Sequence, residues 1–600
     1  MKPPWPTRAL IAIAEALDRT IGWDKLPKPL GILTLSGIRE KLRAENLYDT
    51  GRGPLDKPPF VDPDPPFAYL TSRTIDGTYN DLRSPLMGGL GSRFGRNVPL
   101  ENAYPDSPER LLDPNPRLVS RRLMTRDQFQ PASSLNLLAA AWIQFEVHDW
   151  INHGTVPDDP WLLPLEADDP WPERPMRIDR TRSDPSTDPN GPPAFLNVDT
   201  HWWDGSQIYG DDPAFSQLLR SNSGGTLKVE SNGFYLPEVD KHLDLSGVAG
   251  NFWIGLGLLH SLFMLEHNAI CAMLASQFPS WSDDELYRKA RLINVALMAK
   301  IHTVDWTPAI IAHPTTVLAL RSNWWGLLGE RFDKRYGRRT KLDFLRGVPG
   351  SPTNHNGVPY ALTEEFVAVY RMHPLIPDEF VFRSLTTDAV LQTRSLPEVG
   401  ALEVRNRFNE MSMSDIFYSF GRANPGAITL HNYPKFLQLF NRPDGTLIDL
   451  AAIDILRSRE RGVPRYNEFR RLFHLRPMRT FEELTGNPAW AAELIELYNN
   501  DIERVDLTVG MYAERLPRGF GFSDTAFRVF ILMATRRLKS DRFFTVDYTP
   551  EVYTQSGIDW VESNSMRTVL LRHYPELAPA LRGVGNPFAP WNQAGHVRPS

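Results

Sequence analysis

Two stretches of the chain are apolar on nearly every side and predict helices buried in a protein core. In residues 134–153, SLNLLAAAWIQFEVHDWINH, few polar side chains interrupt the apolar run, among them Gln144, His148 and Asp149. A helix that is hydrophobic all round belongs to the interior of a large protein or to a membrane. The second stretch is residues 250–278, and its apolar run, Phe252–Leu265, is shorter than the roughly 18 residues of a membrane-spanning helix. We therefore predict two buried core helices.

Weaker periodic patterns predict further helices, and the segments between them are predicted to be loops. An amphipathic stripe, with Pro27 and Pro29 behind it, predicts two short helices within residues 7–48. Other helices are expected at residues 283–311, 412–422, 448–459 and 527–545. Frequent proline, glycine and acidic residues predict loops at residues 53–67, 71–120, 154–196 and 314–360. The expected fold class is mainly α, with a short N-terminal helical extension at 1–66 and one large all-helical domain at 67–600.

Composition narrows the class of protein without defining a function. The chain has 600 residues, of which 42% are hydrophobic and 23% charged, as in ordinary globular proteins. Its formal net charge of -6 gives no indication of a nucleic-acid partner. A single cysteine, Cys271, excludes an intramolecular disulfide framework. The apolar run from Ala9 to Ala14 is too short for a signal peptide, so we expect a cytoplasmic or peripheral membrane protein. The sequence indicates no oligomeric state.

The polar residues of the 134–153 helix are the first candidates for chemistry. Gln144 and His148 are four residues apart and so share one helix face. An imidazole in a buried site can act as a general acid and base, although a hydrogen-bonded core histidine is the simpler explanation. Asp149 is rotated by about 100° from His148 and cannot serve the same site. A buried carboxylate needs its own partner, often a metal ion.

A tyrosine and a histidine occur three residues apart in the segment LTEEFVAVYRMHPLIPD. On a helix, Tyr370 and His373 would share one face about one turn apart. A neutral imidazole is a common axial ligand of haem iron, and a phenol nearby could be oxidised by that haem. By spacing alone, such a pair is usually an ordinary core or surface pair.

Two further groups of residues could bind a metal ion. Thr200, Asp204 and Ser206 supply oxygen atoms within one short loop, NVDTHWWDGSQIYG, which suits Ca²⁺ or an ordinary hydrogen-bonded turn. Two histidines seven residues apart in the 250–278 helix, His260 and His267, form a conceivable metal pair that lacks an evident third ligand.

Basic residues at the ends of two predicted helices could instead bind a carboxylate. His302 lies near the end of the 283–311 helix. Arg536 and Arg537 follow a buried apolar run, and an arginine can bind a carboxylate through two parallel hydrogen bonds. A purely structural role for all three remains open at this stage.

The strings that carry these residues resemble one protein family. Four segments closely resemble, in this order, segments of the fatty-acid α-dioxygenases: AAWIQFEVHDW, LLHSLFMLEHNAIC, KIHTVDWT and LTEEFVAVYRMHPLIPD. These enzymes are a branch of the animal-type haem peroxidase and cyclooxygenase superfamily. The resemblance extends over roughly residues 70–575 and implies a mainly α-helical fold around one non-covalently held haem b.

The resemblance also implies roles for individual residues. His373 would ligate the haem iron, His148 with Gln144 would face the other side of the haem, and Tyr370 would carry a radical. The fatty-acid carboxylate would be held by His302 and Arg537 as a basic pair, with Arg536 beside them and Thr307 lining the pocket. The implied calcium ligands are Asp149, the side chain and carbonyl of Thr200, the carbonyl of Trp202, Asp204 and Ser206.

The implied reaction uses hydrogen peroxide as activator and long-chain fatty acid and O₂ as substrates. Peroxide oxidises the haem with help from His148, and the haem in turn oxidises Tyr370. The tyrosyl radical removes a hydrogen atom from C2, and O₂ adds to give a 2-hydroperoxy acid that can lose CO₂ to leave a shorter aldehyde.

Two other functions are compatible with the sequence. The chain could be a haem peroxidase that oxidises small reductants, or a non-enzymatic haem- or lipid-binding protein. The N-terminal helices could rest on a membrane or pack on the main domain.

Overall fold

The computed structural model describes residues 4–51, 67–229, 238–240, 243–244, 252–332, 346–401, 403–442 and 445–594. The loop expected at 53–67 lies almost wholly outside these residues. Ten helices build or support the site and are numbered here in chain order: α1 (Trp5–Thr20), α2 (Lys28–Glu45), α3 (Leu137–Trp150), α4 (Ile254–Gln277), α5 (Asp283–Ile301), α6 (Pro314–Trp325), α7 (Glu364–Val369), α8 (Met413–Arg422), α9 (Leu450–Glu460) and α10 (Asp524–Ser540).

Shorter elements connect and cover these helices. The remaining described α-helices are Phe67–Thr71, Pro108–Leu111, Pro116–Val119, Ser206–Tyr209, Pro213–Leu219, Thr307–Ile310, Glu403–Glu410, Tyr466–Leu472, Phe481–Thr485, Pro488–Leu497, Leu507–Ala513, Pro550–Tyr553, Gln555–Ser563, Met566–His573 and Ala578–Leu581. Four antiparallel two-stranded sheets pair β1 (Thr155–Leu163) with β2 (Met176–Thr181), β3 (Glu238–Asp240) with β4 (Leu243–Asp244), β5 (Glu379–Arg383) with β6 (Val390–Ser395), and β7 (Phe440–Asn441) with β8 (Leu447–Ile448). The mainly α prediction is confirmed.

The two helices predicted to be buried form the centre of the molecule. α3 packs against α4 and α8, and α4 packs in turn against α5. Within the described residues, α4 is the one helix long and apolar enough to cross a membrane, but 67% of its apolar window is buried inside the protein. α4 is therefore a core helix, as its interrupted apolar run predicts.

Besides the short helices Pro108–Leu111 and Pro116–Val119 in residues 71–120, two of the predicted loops contain longer regular structure. Residues 154–196 include the β1–β2 hairpin, whose register shifts between Val156 and Trp161. Residues 314–360 begin with α6, because Pro314 occupies the first turn of a helix, where a missing N–H costs nothing. Proline and acid content alone therefore gave the wrong secondary structure in both regions.

The N-terminal helices pack on the main domain. α1 and α2 lie against each other, and α2 also contacts α6 and α10. Between them, the buried Trp23 donates its indole N–H to Asp524 at 3.0 Å and packs against Phe520 and Phe527. Several large apolar side chains of α1 and α2 nevertheless stay exposed, namely Trp5, Ile13, Leu30 and Leu33.

Candidate active site

α3 places polar side chains on different sides of one buried helix. Gln144 and His148 share a face that is half-buried, as their spacing predicts. The Gln144 side-chain carbonyl accepts a hydrogen bond from the Trp253 indole at 2.8 Å. Burial lowers the pKa of His148 to about 4, so its imidazole is neutral near pH 7. Among the described residues, nothing hydrogen-bonds to its Nδ1 atom.

Tyr370 and His373 do not share one helix face. α7 ends at Val369, Tyr370 is its C-cap residue, and His373 begins a separate 3₁₀ turn, His373–Leu375. The prediction of a continuous helix is wrong because Tyr370 (φ -85°, ψ 6°) and Met372 (φ -112°, ψ 31°) leave the helical conformation before the 3₁₀ turn begins. The side chains of Tyr370 and His373 therefore lie in different environments.

His373 is held by a buried carboxylate. Its Nδ1 atom lies 2.8 Å from Oδ2 of Asp454 in α9, and the Tyr433 hydroxyl also donates to that oxygen at 3.3 Å. Asp454 is fully buried, while the His373 side chain is about a quarter exposed. A carboxylate partner on Nδ1 fixes the imidazole tautomer and leaves Nε2 free for a metal. This donor set fits an axial ligand of haem iron.

Tyr370 lines a buried inner cavity. Its ring stacks on Phe530 with centroids 4.6 Å apart and meets the edge of Trp150 at 5.7 Å. His302, Thr307 and Arg537 line the same cavity. Burial raises the pKa of Tyr370, so the phenol keeps its proton at neutral pH.

Arg537 presents unused hydrogen-bond donors to this cavity. Its guanidinium lies 3.6 Å from the ring centre of Trp150 and 4.5 Å from that of Trp203, a cation–π arrangement on two sides. It also bonds to the Tyr360 hydroxyl. Its Nε and Nη2 atoms are buried without a partner among the described residues. A buried, aromatic-walled guanidinium with free donors is a carboxylate-binding arrangement.

His302 is a neutral hydrogen-bond donor in this site. The Trp142 indole donates to its Nδ1 atom at 3.2 Å, so the ring proton resides on Nε2. Burial and the nearby Arg537 lower the pKa of His302 well below its usual value. The expectation that His302 forms a basic pair with Arg537 is therefore corrected: Arg537 provides the positive charge, and His302 provides a neutral N–H.

A π-helical turn, His302–Trp306, brings His302 to the cavity. α5 would otherwise run on directly into the Thr307–Ile310 helix. The hydroxyl of Thr307 donates to the backbone carbonyl of His302 at 2.7 Å, five residues back. π-helical turns are rare and frequent at functional sites, and here the turn places His302 and Thr307 on one cavity wall.

Arg536 lies outside the inner cavity. Its guanidinium donates to the backbone carbonyls of Val358 and Pro359 at 2.9 and 2.8 Å. Adjacent residues of a helix point about 100° apart, so Arg536 faces this loop when Arg537 faces the cavity. The structure does not bring Arg536 to the other predicted substrate-binding residues.

The inner cavity continues into an outer, mainly apolar cavity. Four residues line both spaces: Thr307, Leu320, Asn323 and Ala534. The outer walls come from α2, α6 and α10, with Ile32 and Leu35 of α2 on the N-terminal side and Phe527 and Ile531 of α10 opposite. A ligand with a carboxylate head and an apolar chain matches an inner cavity that contains Arg537 and an outer cavity with apolar walls.

The predicted calcium ligands form a connected, buried cluster. The backbone N–H and the hydroxyl of Ser206 donate to Oδ1 of Asp149 at 2.6 and 3.0 Å. Thr200 donates its hydroxyl to Oδ2 of Asp204 at 2.9 Å. Trp202 is also buried in this loop. The loop is therefore bound to α3 directly after His148.

Two carboxylates oppose each other in this cluster. Burial and the neighbouring Asp204 raise the pKa of Asp149 to about 8. Arg291 donates to the backbone carbonyl of Asp204 and lies 3.7 Å from its carboxylate. Within the described ranges, no group of three or more His, Cys, Asp or Glu side chains is positioned to hold a metal ion. Hydroxyl and carbonyl oxygens, which Ca²⁺ accepts, would have to complete such a site.

The two histidines of α4 do not form a metal pair. The imidazole of His267 is bonded on both sides, to the Tyr209 hydroxyl and to the Gly225 carbonyl, each at 2.9 Å. His260 is also fully buried and has no partner among the described residues.

Several site residues were not singled out from the sequence. Trp142, Trp150 and Trp203 surround His302 and Arg537, and Asp454 holds His373. A signal existed for Asp454, because an acid in the otherwise apolar string LAAIDIL needs a buried partner. No spacing rule relates the tryptophans to residues 160 to 390 positions away.

Comparisons with known proteins define the family. The sequence pattern of the animal haem peroxidases matches residues 72–582. The chain therefore belongs to the animal haem peroxidase family. Peroxidase A of Dictyostelium discoideum, at 20% identity and a TM-score of 0.67, shares this fold.

Several relatives that match almost the whole chain are α-dioxygenases. Alpha-dioxygenase PIOX of Oryza sativa subsp. japonica is 37% identical, covering 96% of this chain and 94% of the relative. Alpha-dioxygenase 1 of Arabidopsis thaliana is 38% identical, covering 98% and 92%. The crystal structure of an Oryza sativa fatty acid alpha-dioxygenase variant with palmitic acid superposes with a TM-score of 0.91 at 35% identity and covers 98% of both chains. The chain is a member of the α-dioxygenase branch.

Proposed function

We propose that this chain is a haem-dependent fatty-acid α-dioxygenase in which Tyr370 removes a hydrogen atom from C2 of the bound acid. The observation that carries the proposal is the cavity where Tyr370 meets Arg537 and neutral His302. The free donors of Arg537 match the two oxygens of a carboxylate. A carboxylate held there puts its α-carbon beside the phenol, which explains why C2 is attacked.

The substrate class follows from the two joined cavities. The inner cavity holds the acid head, and the apolar outer cavity between α2, α6 and α10 takes the alkyl chain. The palmitic acid of the Oryza sativa relative supports a long-chain acid as substrate. Aromatic walls of Trp150 and Trp203 exclude water from the reacting carbon.

Haem b, held without covalent links, is the cofactor that the family implies. His373 would ligate its iron, with Asp454 fixing the imidazole, and His148 and Gln144 would lie in its pocket. When bound, the haem supplies the oxidising power of hydrogen peroxide to Tyr370. His148 takes the proton of the peroxide and returns it to the departing oxygen.

The remaining steps belong to Tyr370 and the anchored substrate. Tyr370 loses its phenolic hydrogen and regains one from C2 of the fatty acid. O₂ adds to the C2 radical, and the resulting peroxyl radical takes the hydrogen atom back from Tyr370 to give the 2-hydroperoxy acid. This acid then loses CO₂ and water to leave an aldehyde one carbon shorter. Arg537 and His302 hold the carboxylate throughout, so positioning is the main contribution of the protein.

Replacement of Tyr370 by phenylalanine separates dioxygenase from peroxidase chemistry. Tyr370→Phe keeps the stacking on Phe530 but has no O–H hydrogen to lose. Fatty-acid oxygenation should fall to background, while peroxide-dependent oxidation of a small reductant persists because His148 and His373 are unchanged. O₂ uptake, reductant oxidation and haem absorbance measured on one preparation give the comparison. Wild-type O₂ uptake in this variant would overturn the mechanism.

The adjacent arginines give a matched pair for the carboxylate anchor. Arg537→Met should lower kcat/KM for fatty acids by roughly 10- to 100-fold, because hydrogen bonds to a charged group contribute about 1.5–3 kcal/mol. Oxidation of a small reductant should change little. Arg536→Met, which removes a guanidinium bonded only to loop carbonyls outside the cavity, should leave the KM for fatty acids near wild type. Equal losses in both variants would contradict the assignment.

We further propose that Asp149, Asp204, Thr200, Ser206 and the Trp202 carbonyl bind Ca²⁺. A divalent cation would relieve the repulsion between the two buried carboxylates and tie the loop to α3 beside His148. Hydroxyl and carbonyl ligands are ordinary for calcium.

A chelator should therefore destabilise the wild-type protein. A ligand at 100 times its Kd stabilises the folded state by about 2.7 kcal/mol, so EGTA should lower the Tm by several degrees and added Ca²⁺ should restore it. Asp204→Asn should abolish this response, whereas Asp199→Asn, a buried acid of the same loop outside the ligand set, should retain it. Absence of bound calcium in purified wild type would count against the site.

We also propose that the N-terminal extension, residues 1–66, contacts a lipid surface through α1 and α2. Trp5, Ile13, Leu30 and Leu33 are 42–73% exposed there. Exposed basic residues of the same region, Arg8, Arg19, Lys25 and Lys28, complement anionic headgroups. The opposite side of α2 lines the outer cavity, so a membrane at this surface would adjoin the alkyl-chain site.

Sedimentation with anionic phospholipid vesicles tests this surface. The double variant Trp5→Ser/Leu33→Ser should bind vesicles at least roughly tenfold more weakly, since each fully buried apolar side chain contributes about 1.5–3 kcal/mol. The control Val390→Ser/Leu391→Ser removes two comparably exposed apolar side chains, 53% and 47%, from β6 and should bind like wild type. No vesicle binding by the wild type would refute the proposal.

A further inference from the structure

His260, in the first half of α4, is a buried histidine whose hydrogen bonds are unaccounted for. Its side chain is fully inaccessible, and neither ring nitrogen has a partner among the described residues. Leaving a buried polar group unpaired costs about 1–3 kcal/mol, and few such groups occur in native proteins. His267, two turns further along α4, has both nitrogens bonded, so unpaired nitrogens are not a general property of this helix.

The ring of His260 lies next to the His148 region of α3. It meets the ring of Phe145 edge to face, with centroids 4.9 Å apart, and Phe145 is one turn before His148. Phe252 covers another side at 5.5 Å. His148 is close enough to interact electrostatically with His260, and the Nδ1 atom of His148 is itself buried without a partner. Three unpaired imidazole nitrogens therefore occupy one buried region between α3 and α4.

We propose that His260 is a positioning residue for His148, joined to its Nδ1 atom through one ordered water molecule. The proposal rests on the proposed role of His148 in peroxide cleavage. The two rings do not bond to each other directly, and a buried water typically bridges two to four such polar groups. A hydrogen bond accepted from Nδ1–H fixes which ring nitrogen carries the proton. The Nε2 lone pair of His148 then faces the peroxide, ready to accept its proton.

The position of His260 explains why a direct contact is unnecessary. Phe145 and Phe252 cover two sides of the His260 ring, so a single bridging water molecule there would have few alternative partners. Outer hydrogen-bond partners of this kind, which orient a reactive imidazole, commonly change activity by 10- to 100-fold when removed from metal sites.

Two substitutions at His260 separate positioning from packing. His260→Leu removes both nitrogens, and His260→Gln retains a donor and an acceptor. In haem-loaded protein, His260→Leu should slow peroxide-dependent oxidation of a small reductant by about tenfold or more. It should weaken cyanide binding to a similar extent, because hydrogen cyanide must also give its proton to His148 on binding. His260→Gln should recover both quantities to within a few-fold of wild type, and the KM for fatty acid should stay unchanged in both variants.

A structural role makes different predictions. A structural role would lower the Tm of His260→Leu, whereas a positioning role leaves the Tm near that of the wild type, because leucine fills the site with an apolar side chain. The control Phe252→Leu trims another contact of the His260 ring without a polar atom and should leave cyanide affinity within twofold of wild type. Wild-type cyanide affinity and peroxide rate in His260→Leu would overturn the inference, as would equal losses in the leucine and glutamine variants.

This outcome is independent of the substrate assignment. If the wild type fails to oxygenate fatty acids but His260→Leu shows the cyanide and peroxide defects, the proposed function fails and the role of His260 stands. If oxygenation occurs and those two defects are absent, the role of His260 fails alone.

Discussion

The burial of α3 is the constraint on which the site depends. Every polar group of a buried helix must find a partner, and α3 carries several that point in different directions. Trp142 bonds to His302, Trp150 covers Arg537, and Asp149 binds the loop of the proposed calcium ligands through Ser206. One helix therefore positions the proposed carboxylate anchor and this loop at once, and a shift of α3 would disturb both together.

The sequence predicted the elements that a local pattern of apolar residues defines. It did not predict features that depend on a contact between residues distant in the chain. α3 and α4 follow from continuous apolar runs. The break between Tyr370 and His373 lies at Tyr370 and Met372, and the helical spacing of the two site residues concealed it. The tautomer of His302 depends on Trp142, 160 positions earlier, and no pattern within the 283–311 segment reveals that partner.

Neighbouring residues illustrate the same limit. Arg536 and Arg537 are indistinguishable in composition and burial, yet one bonds to a loop and the other presents free donors to a cavity. Helix periodicity predicts that the two side chains point in different directions, but it does not indicate which one reaches the cavity. Likewise, the calcium-site residues are close in sequence except Asp149, and only the packing of their loop on α3 unites them.

The charge of the inner cavity has a consequence for selectivity. Among the described residues that line it, Arg537 is the charged one, because the other polar side chains, including His302, are neutral. A free carboxylate makes the enclosed complex electrically neutral in a region of low dielectric. A methyl ester of the same chain would leave the guanidinium without a counter-ion, although its shape differs by a single carbon. With the proposed anchor, discrimination between free acids and acyl esters would be electrostatic, and selection for alkyl-chain length would fall to the outer cavity.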